Sequence, residues 1–323
     1  MVIVGVDVSK ATLDIFVKPS GLSLRIANNL KGYKQWWKSC RFKDPNQVMI
    51  VLEHTGKYSR QWELFLRSKG LSYCKISALQ IKRSLGVIRG KDDKIDAIRI
   101  AEYGWLRREG LQAEEPLTDE LMALKELLSL RAQLVRDRAG YLNSLKEHLA
   151  CGGKKSSPGS LVPQRIIRCL SEEIKGLEIR IKALIKKDQE LKKLCELLTS
   201  IKGVGLIVAC TMLCCTGGFK RFNSARKFNC YAGLAPFKQE SGTSIKGRSR
   251  VSNLANHEIK VLLNMAAFTA IQYDPQLKAY YQRRVANGKS KMNSLNVVKA
   301  KIVARIFAVV KRQTPYQPLL TAA

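Results

Sequence analysis

The run Gln47-Val48-Met49-Ile50-Val51-Leu52-Glu53 constrains this chain more than any other stretch. An unbroken apolar segment of that length, closed by a carboxylate, describes a strand buried on both faces. Such a strand sits inside a sheet with helices above and below. Val2 to Val8 is a second apolar run that ends beyond Asp7, and Thr12-Leu13-Asp14-Ile15-Phe16-Val17 alternates after a turn at Ser9-Lys10. The two read as a hairpin. Lys34 to Cys40 is expected to be helical with Trp36 and Trp37 inward. Ser59 to Lys69 is expected to be helical with Trp62, Leu64 and Leu66 in the core, and Leu71 to Ile76 reads as a further strand. Helical sequence resumes near Ala78. The first third is therefore α/β with a mixed sheet.

Beyond it the pattern turns helical. Leu117, Leu121, Leu124, Leu128, Val135, Leu142, Leu145 and Leu149 follow a four-three repeat interrupted by Arg131 and Arg138. Residues 174–198 repeat in the same way, interrupted by Asp188. Two helices of coiled-coil character follow, joined by a flexible link from Cys151 to Gly159, as an antiparallel hairpin or a dimerisation arm. At Lys202-Gly203-Val204-Gly205 one helix ends and another begins, like the turn of a helix-hairpin-helix module, where free backbone N–H groups accept a phosphate. Residues 223–231 read as a short helix, and Ala232 to Arg250 as a loop rich in Gly, Ser and basic side chains. Leu254 to Ile271 reads as a core helix including Leu262, Leu263, Met265, Ala266 and Ala267. Asn293 to Lys311 is an apolar helix with Lys299, Lys301, Arg305 and Lys311 on its polar side. The fold class is α/β followed by all-α, with expected domains at residues 1–112, 113–199 and 200–323.

Charge narrows the function. Lys and Arg number 57 against 26 Asp and Glu, a net +31. Residues 200–323 hold 20 basic and 3 acidic side chains, so the last third carries +17. An excess of that size points to a polyanion, nucleic acid first. No apolar run is long enough to span a bilayer, and the first residues do not read as a signal peptide. Nine scattered cysteines without a C-x-x-C pair, and three His, argue against structural zinc and for free thiols in a reducing cytosol.

Against that basic background the acids stand out. Lys91-Asp92-Asp93-Lys94-Ile95-Asp96 places Asp93 and Asp96 three apart at the start of an expected helix from Ile95 to Leu106. On a helix both project to one face. Held that close, like charges suit a hard divalent cation between them, although acids also suit a helix N-terminus unaided. Asp7 and Glu53 each stand in or at the end of an apolar strand, where a carboxylate needs a partner. Asp7, Glu53, Asp93 and Asp96 are thus candidates to converge at one end of the sheet.

Gly5-Val6-Asp7-Val8-Ser9-Lys10 with Leu13-Asp14, Glu53-His54-Thr55-Gly56 and Lys91 to Ala97 resemble the Asp-Glu-Asp-Asp set of the RuvC-like domain in insertion-sequence transposases related to the pilin-gene invertases. Ser200 to Gly205 resembles that family's Gly-x-Gly hairpin. Phe228 to Pro236, Glu240-Ser241-Gly242-Thr243-Ser244 and Gly247-Arg248-Ser249-Arg250 resemble the loop of its catalytic serine. Asp92 adds an acid beside Asp93, and Asn253 to Glu258 departs from the family's Gly-Asn and Arg-rich helix start. The resemblance implies an RNase H-like N-terminal domain in which Asp7, Glu53, Asp93 and Asp96 bind Mg2+ or Mn2+. It implies that Ser241 attacks a DNA phosphodiester to give a 5′-phosphoserine. Target and donor DNA, a noncoding bridge RNA as guide, and a dimer assembling to a tetramer with composite sites are the implied partners, in the bacterial cytoplasm at the nucleoid. Lys202, Gly203, Gly205, Lys246, Arg248 and Arg250 are the candidate nucleic-acid contacts. The competing reading is a RuvC-like nuclease or junction resolvase that uses the same acids with water as nucleophile and leaves Ser241 a turn residue. A third is a nucleic-acid-binding protein without catalysis.

Overall fold

The structure, a computed structural model, describes residues 1–40, 42, 44–54, 56–84, 93–241 and 245–318, without the side chains of 93, 94, 238–246 and 248. It divides into two compact units, Met1–Glu114 and Glu115–Ala323.

In the first unit, strands β1 (Val2–Val8), β2 (Thr12–Lys18), β3 (Leu22–Ala27), β4 (Val48–Glu53) and β5 (Ser72–Ile76) form one mixed sheet in the order β3-β2-β1-β4-β5. β1, β2 and β3 pair antiparallel, while β4 lies parallel to both β1 and β5. Helices α1 (Leu30–Cys40) and α2 (Arg60–Ser68) supply the return connections. One face of the sheet, with Val4, Val6, Val8, Leu13, Ile15, Ile50 and Leu52, packs on Tyr33, Trp36, Trp62 and Phe65. Trp36 and Trp62 meet edge to face at 4.7 Å, a favoured aromatic geometry. The other face, with Ile3, Met49 and Val51, packs on Ile100 and Tyr103. Those two residues belong to α4 (Asp93–Leu106), which follows α3 (Ala78–Ser84). Burial on both sides explains why β4 shows no alternation.

Two expectations are corrected here, and one strand was not foreseen. Leu64 is 45 % exposed and Phe65 takes its place in the core. Trp37 is only half-buried beside the fully buried Trp36. Strand β3 gave no signal, because only Ile26 of its six residues is buried. Asp92, with the rest of the Arg89–Asp92 stretch, lies outside the described residues.

The second unit is helical apart from one hairpin. Its elements are α5 (Asp119–Ala150), α6 (Pro158–Lys187), α7 (Gln189–Thr199), α8 (Leu206–Thr216), α9 (Ala225–Tyr231), β6 (Pro236–Ser241), β7 (Ile245–Val251), α10 (His257–Tyr273), α11 (Pro275–Ala286) and α12 (Lys291–Arg312). α5 and α6 run antiparallel, since Arg131 bonds Glu178 at 2.7 Å and Arg138 bonds Ser171 at 3.3 Å. The arginines that interrupt the apolar repeat are therefore spent across the hairpin. Leu121, Leu124 and Leu128 of α5 are buried, but Leu142 is 38 % exposed.

The helix expected over 174–198 is two helices. Asp188 leaves helical geometry and its carboxylate accepts from the N–H groups of Glu190 and Leu191, capping α7. α6 starts at Pro158, so the expected link shrinks to a tight turn in which His148 meets Ser157 at 3.1 Å. α8 is apolar on every side and nearly all of it is buried. Met265, assigned to the core, is 60 % exposed, and Lys299, assigned to a polar face, is 4 % exposed. The loop expected over 232–250 contains an antiparallel strand pair, with Ser241 opposite Ile245. The sequences PFKQES and IKGRSRV carry no alternation of apolar and polar residues, so nothing marked them as strands. Gly242, Thr243 and Ser244 lie outside the described residues. All nine cysteines are free, and no described helix is long and apolar enough to cross a membrane.

Candidate active site and nucleic-acid interface

Strand register decides which acids share a face. Asp7 of β1 stands opposite Asp14 of β2, and Asp14 stands opposite Arg25 of β3. On the other side of β1 the parallel pairing runs Gly5 with Val51 and Val6 with Leu52, which brings Glu53 abreast of Asp7. Directly paired residues point to the same side of a sheet. Arg25, Asp14, Asp7 and Glu53 therefore form a row across four strands, on the side that also carries Ile3 and Val51.

α4 crosses that side. A Cβ on Gly104 would lie 2.8 Å from Ile3 Cγ2, and a Cβ on Gly5 would lie 2.8 Å from Ala101 Cα and closer still to Ala97 O. The helix thus runs against the direction of β1, with Gly104 over Ile3 and Ala97–Ala101 over Gly5. Two strand residues span about 6.6 Å and match roughly four helical residues. One further step brings Asp7 level with the first turn of α4, the turn that begins at Asp93 and contains Asp96. Asp96 accepts from Arg99 Nη1 at 2.9 Å, with its side chain 27 % exposed. The side chain of Asp93 is outside the description.

Asp14 is the member of this row that sequence reasoning left unassigned. It is 4 % exposed, and Arg25 grips both its oxygens, Nε at 2.9 Å and Nη2 at 2.9 Å. Such a bidentate pair satisfies a carboxylate that could not otherwise be buried. The turn before β2 is fixed as well. Ser9 Oγ accepts from Thr12 N at 3.0 Å, and Asn28 Nδ2 donates to Ser9 O and to Tyr58 O.

The donors in the row and on α4 are all carboxylate oxygens, which is the chemistry that Mg2+ and Mn2+ prefer. Among the described residues, no three His, Cys, Asp or Glu side chains by themselves form a metal cage. By donor chemistry alone, four carboxylates at Asp7, Glu53, Asp93 and Asp96 suit a hard divalent ion.

In the second unit, Ser241 is the last residue of β6. Lys246 and Arg248 follow on β7, and Arg250 is exposed there. At the α7–α8 turn, Gly203 has φ +93° and its Cα faces α10, where a Cβ would meet Ala270 Cβ at 2.9 Å. That glycine is required by packing. Gly205, the N-cap residue of α8, has open space around it, and Lys202 beside the turn is exposed. The open part of the turn is thus Gly205 with the first N–H groups of α8. A basic cluster that spacing did not reveal surrounds Tyr280, with Lys301 at 4.3 Å and Arg283 at 5.6 Å from its ring.

Residues 4–151 match the model of the DEDD transposase of IS110 elements, and residues 195–282 match that of the transposase IS116/IS110/IS902 family. The chain is 27 % identical to the pilin gene-inverting protein of Moraxella bovis over 328 residues, covering 97 % of each. It is 26 % identical to the transposase for insertion sequence element IS1111A of Coxiella burnetii over 271 residues, covering 74 % of this chain and 72 % of that one.

Proposed function

We propose that this chain, an IS110-family transposase by its two family matches and its pilin gene-inverting relative, recombines DNA through a serine nucleophile supported by the acidic row. The observation that carries the proposal is the register of Asp7 and Glu53 on the face beneath the first turn of α4. Asp7, Glu53, Asp93 and Asp96 would hold Mg2+ or Mn2+, which when bound supplies Lewis-acid stabilisation of charge on phosphate.

Ser241 Oγ attacks the phosphorus of a DNA phosphodiester. The P–O3′ bond breaks, the serine loses its proton to solvent, and the departing 3′ oxygen takes one up. The 5′ phosphate stays on the serine until the 3′-OH of another strand displaces it, which reverses the step and regenerates the serine. The position of Ser241 at the end of β6, ahead of Lys246, Arg248 and Arg250, suits a nucleophile that must reach a polyanion. Lys202 and the open N-terminus of α8 at Gly205 hold a neighbouring backbone phosphate, while Gly203 keeps that turn seated on α10. A composite site, with the acids of one copy serving the serine of another in a tetramer, and a bridge RNA that selects target and donor DNA complete the reading. Both rest on the family resemblance.

The test is a denaturing gel of wild type beside Ser241→Ala and Asp7→Asn, with cognate RNA, Mg2+ and labelled target DNA. A protein–DNA adduct that survives SDS in wild type and is absent from both variants is the expected result. Cleaved ends without adduct, unchanged by Ser241→Ala, would establish hydrolysis by water instead.

A further inference from the structure

Lys299 lies in the core of the second unit, 4 % exposed. Along α12 it falls in step with the buried Leu295, Ile302 and Ile306. No ion pair or hydrogen bond reaches it among the described residues. Burial pushes its pKa below the ordinary lysine value, and the neighbouring charge of Lys260 pushes it further down. A cation in such a place is costly to fold around, since an apolar side chain of similar volume would fill the space without penalty.

α10 and α12 bring the two lysines into one neighbourhood. Asn296, three residues before Lys299 on the same side of α12, donates to Leu234 O at 2.8 Å. Lys260 of α10 brings its Nζ to 3.5 Å from the place of a Cβ on Gly233. Gly233 and Leu234 lie just before β6, so Lys260 and the turn of α12 that bears Lys299 adjoin the root of the β6–β7 hairpin. Two like charges converging there, one of them desolvated, leave a concentration of positive potential that only an anion would relieve.

We propose that Lys260 and Lys299 form an anion site at the root of the β6–β7 hairpin that takes a backbone phosphate of nucleic acid. The choice of nucleic acid over free phosphate rests on the recombinase reading above. The six residues of β6 span about 20 Å, so this phosphate lies several nucleotides from the one that Ser241 attacks. The site anchors the strand on which the hairpin acts.

The experiment compares wild type, Lys299→Met and Lys260→Gln as full chains. Melting temperature is read in sodium chloride and in inorganic phosphate at equal ionic strength, and binding of a fluorescent DNA duplex is followed by anisotropy across a salt series. Lys299→Met should melt higher than wild type in chloride and lose the additional rise that phosphate gives wild type. Both variants should bind the duplex several-fold more weakly, with a salt exponent smaller by about one. A Lys299→Met protein that melts lower in chloride, or variants that keep the phosphate response and the salt exponent, would overturn the site. Loss of the phosphate response with unchanged duplex binding would overturn the nucleic-acid assignment. Lys260 is only half-buried, so Lys260→Gln keeps the test valid whatever Lys299→Met does to folding. None of these readouts uses the adduct, so failure of the serine mechanism would be seen separately.

Discussion

Replacing Gly5 by alanine tests the seat of α4 on the sheet, and with it the assembly of the acidic site. The added methyl would stand 2.8 Å from Ala101 Cα and nearer to Ala97 O and Ala101 N. Carbon atoms pack at about 3.5–4 Å, so α4 must lift by roughly 1 Å. Neither side can yield locally, because the contact is backbone against backbone and Ala97 and Ala101 are 1 % and 0 % exposed. Overpacking costs about 1–3 kcal/mol, and a rigid contact belongs at the upper end. For a unit of this size that lowers Tm by roughly 12 °C. Activity should fall further than stability alone explains. The first turn of α4 bears Asp93 and Asp96, the proposed metal ligands, and a 1 Å displacement of such a group costs about a hundredfold in rate. The control is Gly140→Ala in α5, where nothing lies within 4 Å of the new methyl and helix propensity favours the change by about 1 kcal/mol. Thermal unfolding followed by circular dichroism, with strand exchange measured below the melting range, reads both effects. A Gly5→Ala protein that melts with wild type and recombines at its rate would refute the seating of α4 on β1.

Two further outcomes concern buried polar groups and thiols. Arg305→Met should cost about 3–5 kcal/mol in urea unfolding, because it strips the partner from a buried carboxylate. Asp274 is 5 % exposed, is bonded by Arg305, and caps α11 by accepting from Leu277 N at 3.0 Å. Adding Asp274→Asn should recover part of that loss, and an Arg305→Met midpoint equal to wild type would contradict the pairing. Iodoacetamide at neutral pH should label the exposed Cys151 and Cys169 first. Burial pushes the Cys74 and Cys214 thiols up to about 12, which leaves almost no thiolate to react. Mass spectrometry showing Cys214 labelled as fast as Cys151 would be inconsistent with its burial.

What the sequence disclosed was governed by periodicity. β4 was legible because burial on both faces leaves an unbroken apolar run, and α4 because its apolar positions recur at helical spacing. The acids on strand ends were legible because a carboxylate is conspicuous in such company. Asp14 was visible beside Leu13, but its role was not. Arg25 is eleven residues away, and their meeting follows from strand register, which composition does not encode. The β6–β7 hairpin was missed because its sequence, with charged and polar residues at most positions, has no period-two apolar pattern. Lys299 was misassigned by its charge, although its phase with Leu295 and Ile302 marked it as internal. Asp188 was noticed as a break in a repeat. Its second meaning, a cap that starts a new helix, needed the backbone to reveal it.

The turn at Ser9–Ala11 sets which face of β2 joins the acidic row. It is locked by Ser9 to Thr12, and by Asn28 to the segment after β4. Side chains alternate along a strand, so one residue more or fewer in that turn would leave the composition of β2 intact and invert its two faces. Asp14 would then point among the tryptophans, and Leu13 or Ile15 among the acids. In an alignment of insertion elements, a gap in this turn would therefore weigh as heavily as the loss of a carboxylate, even with every acid still in place.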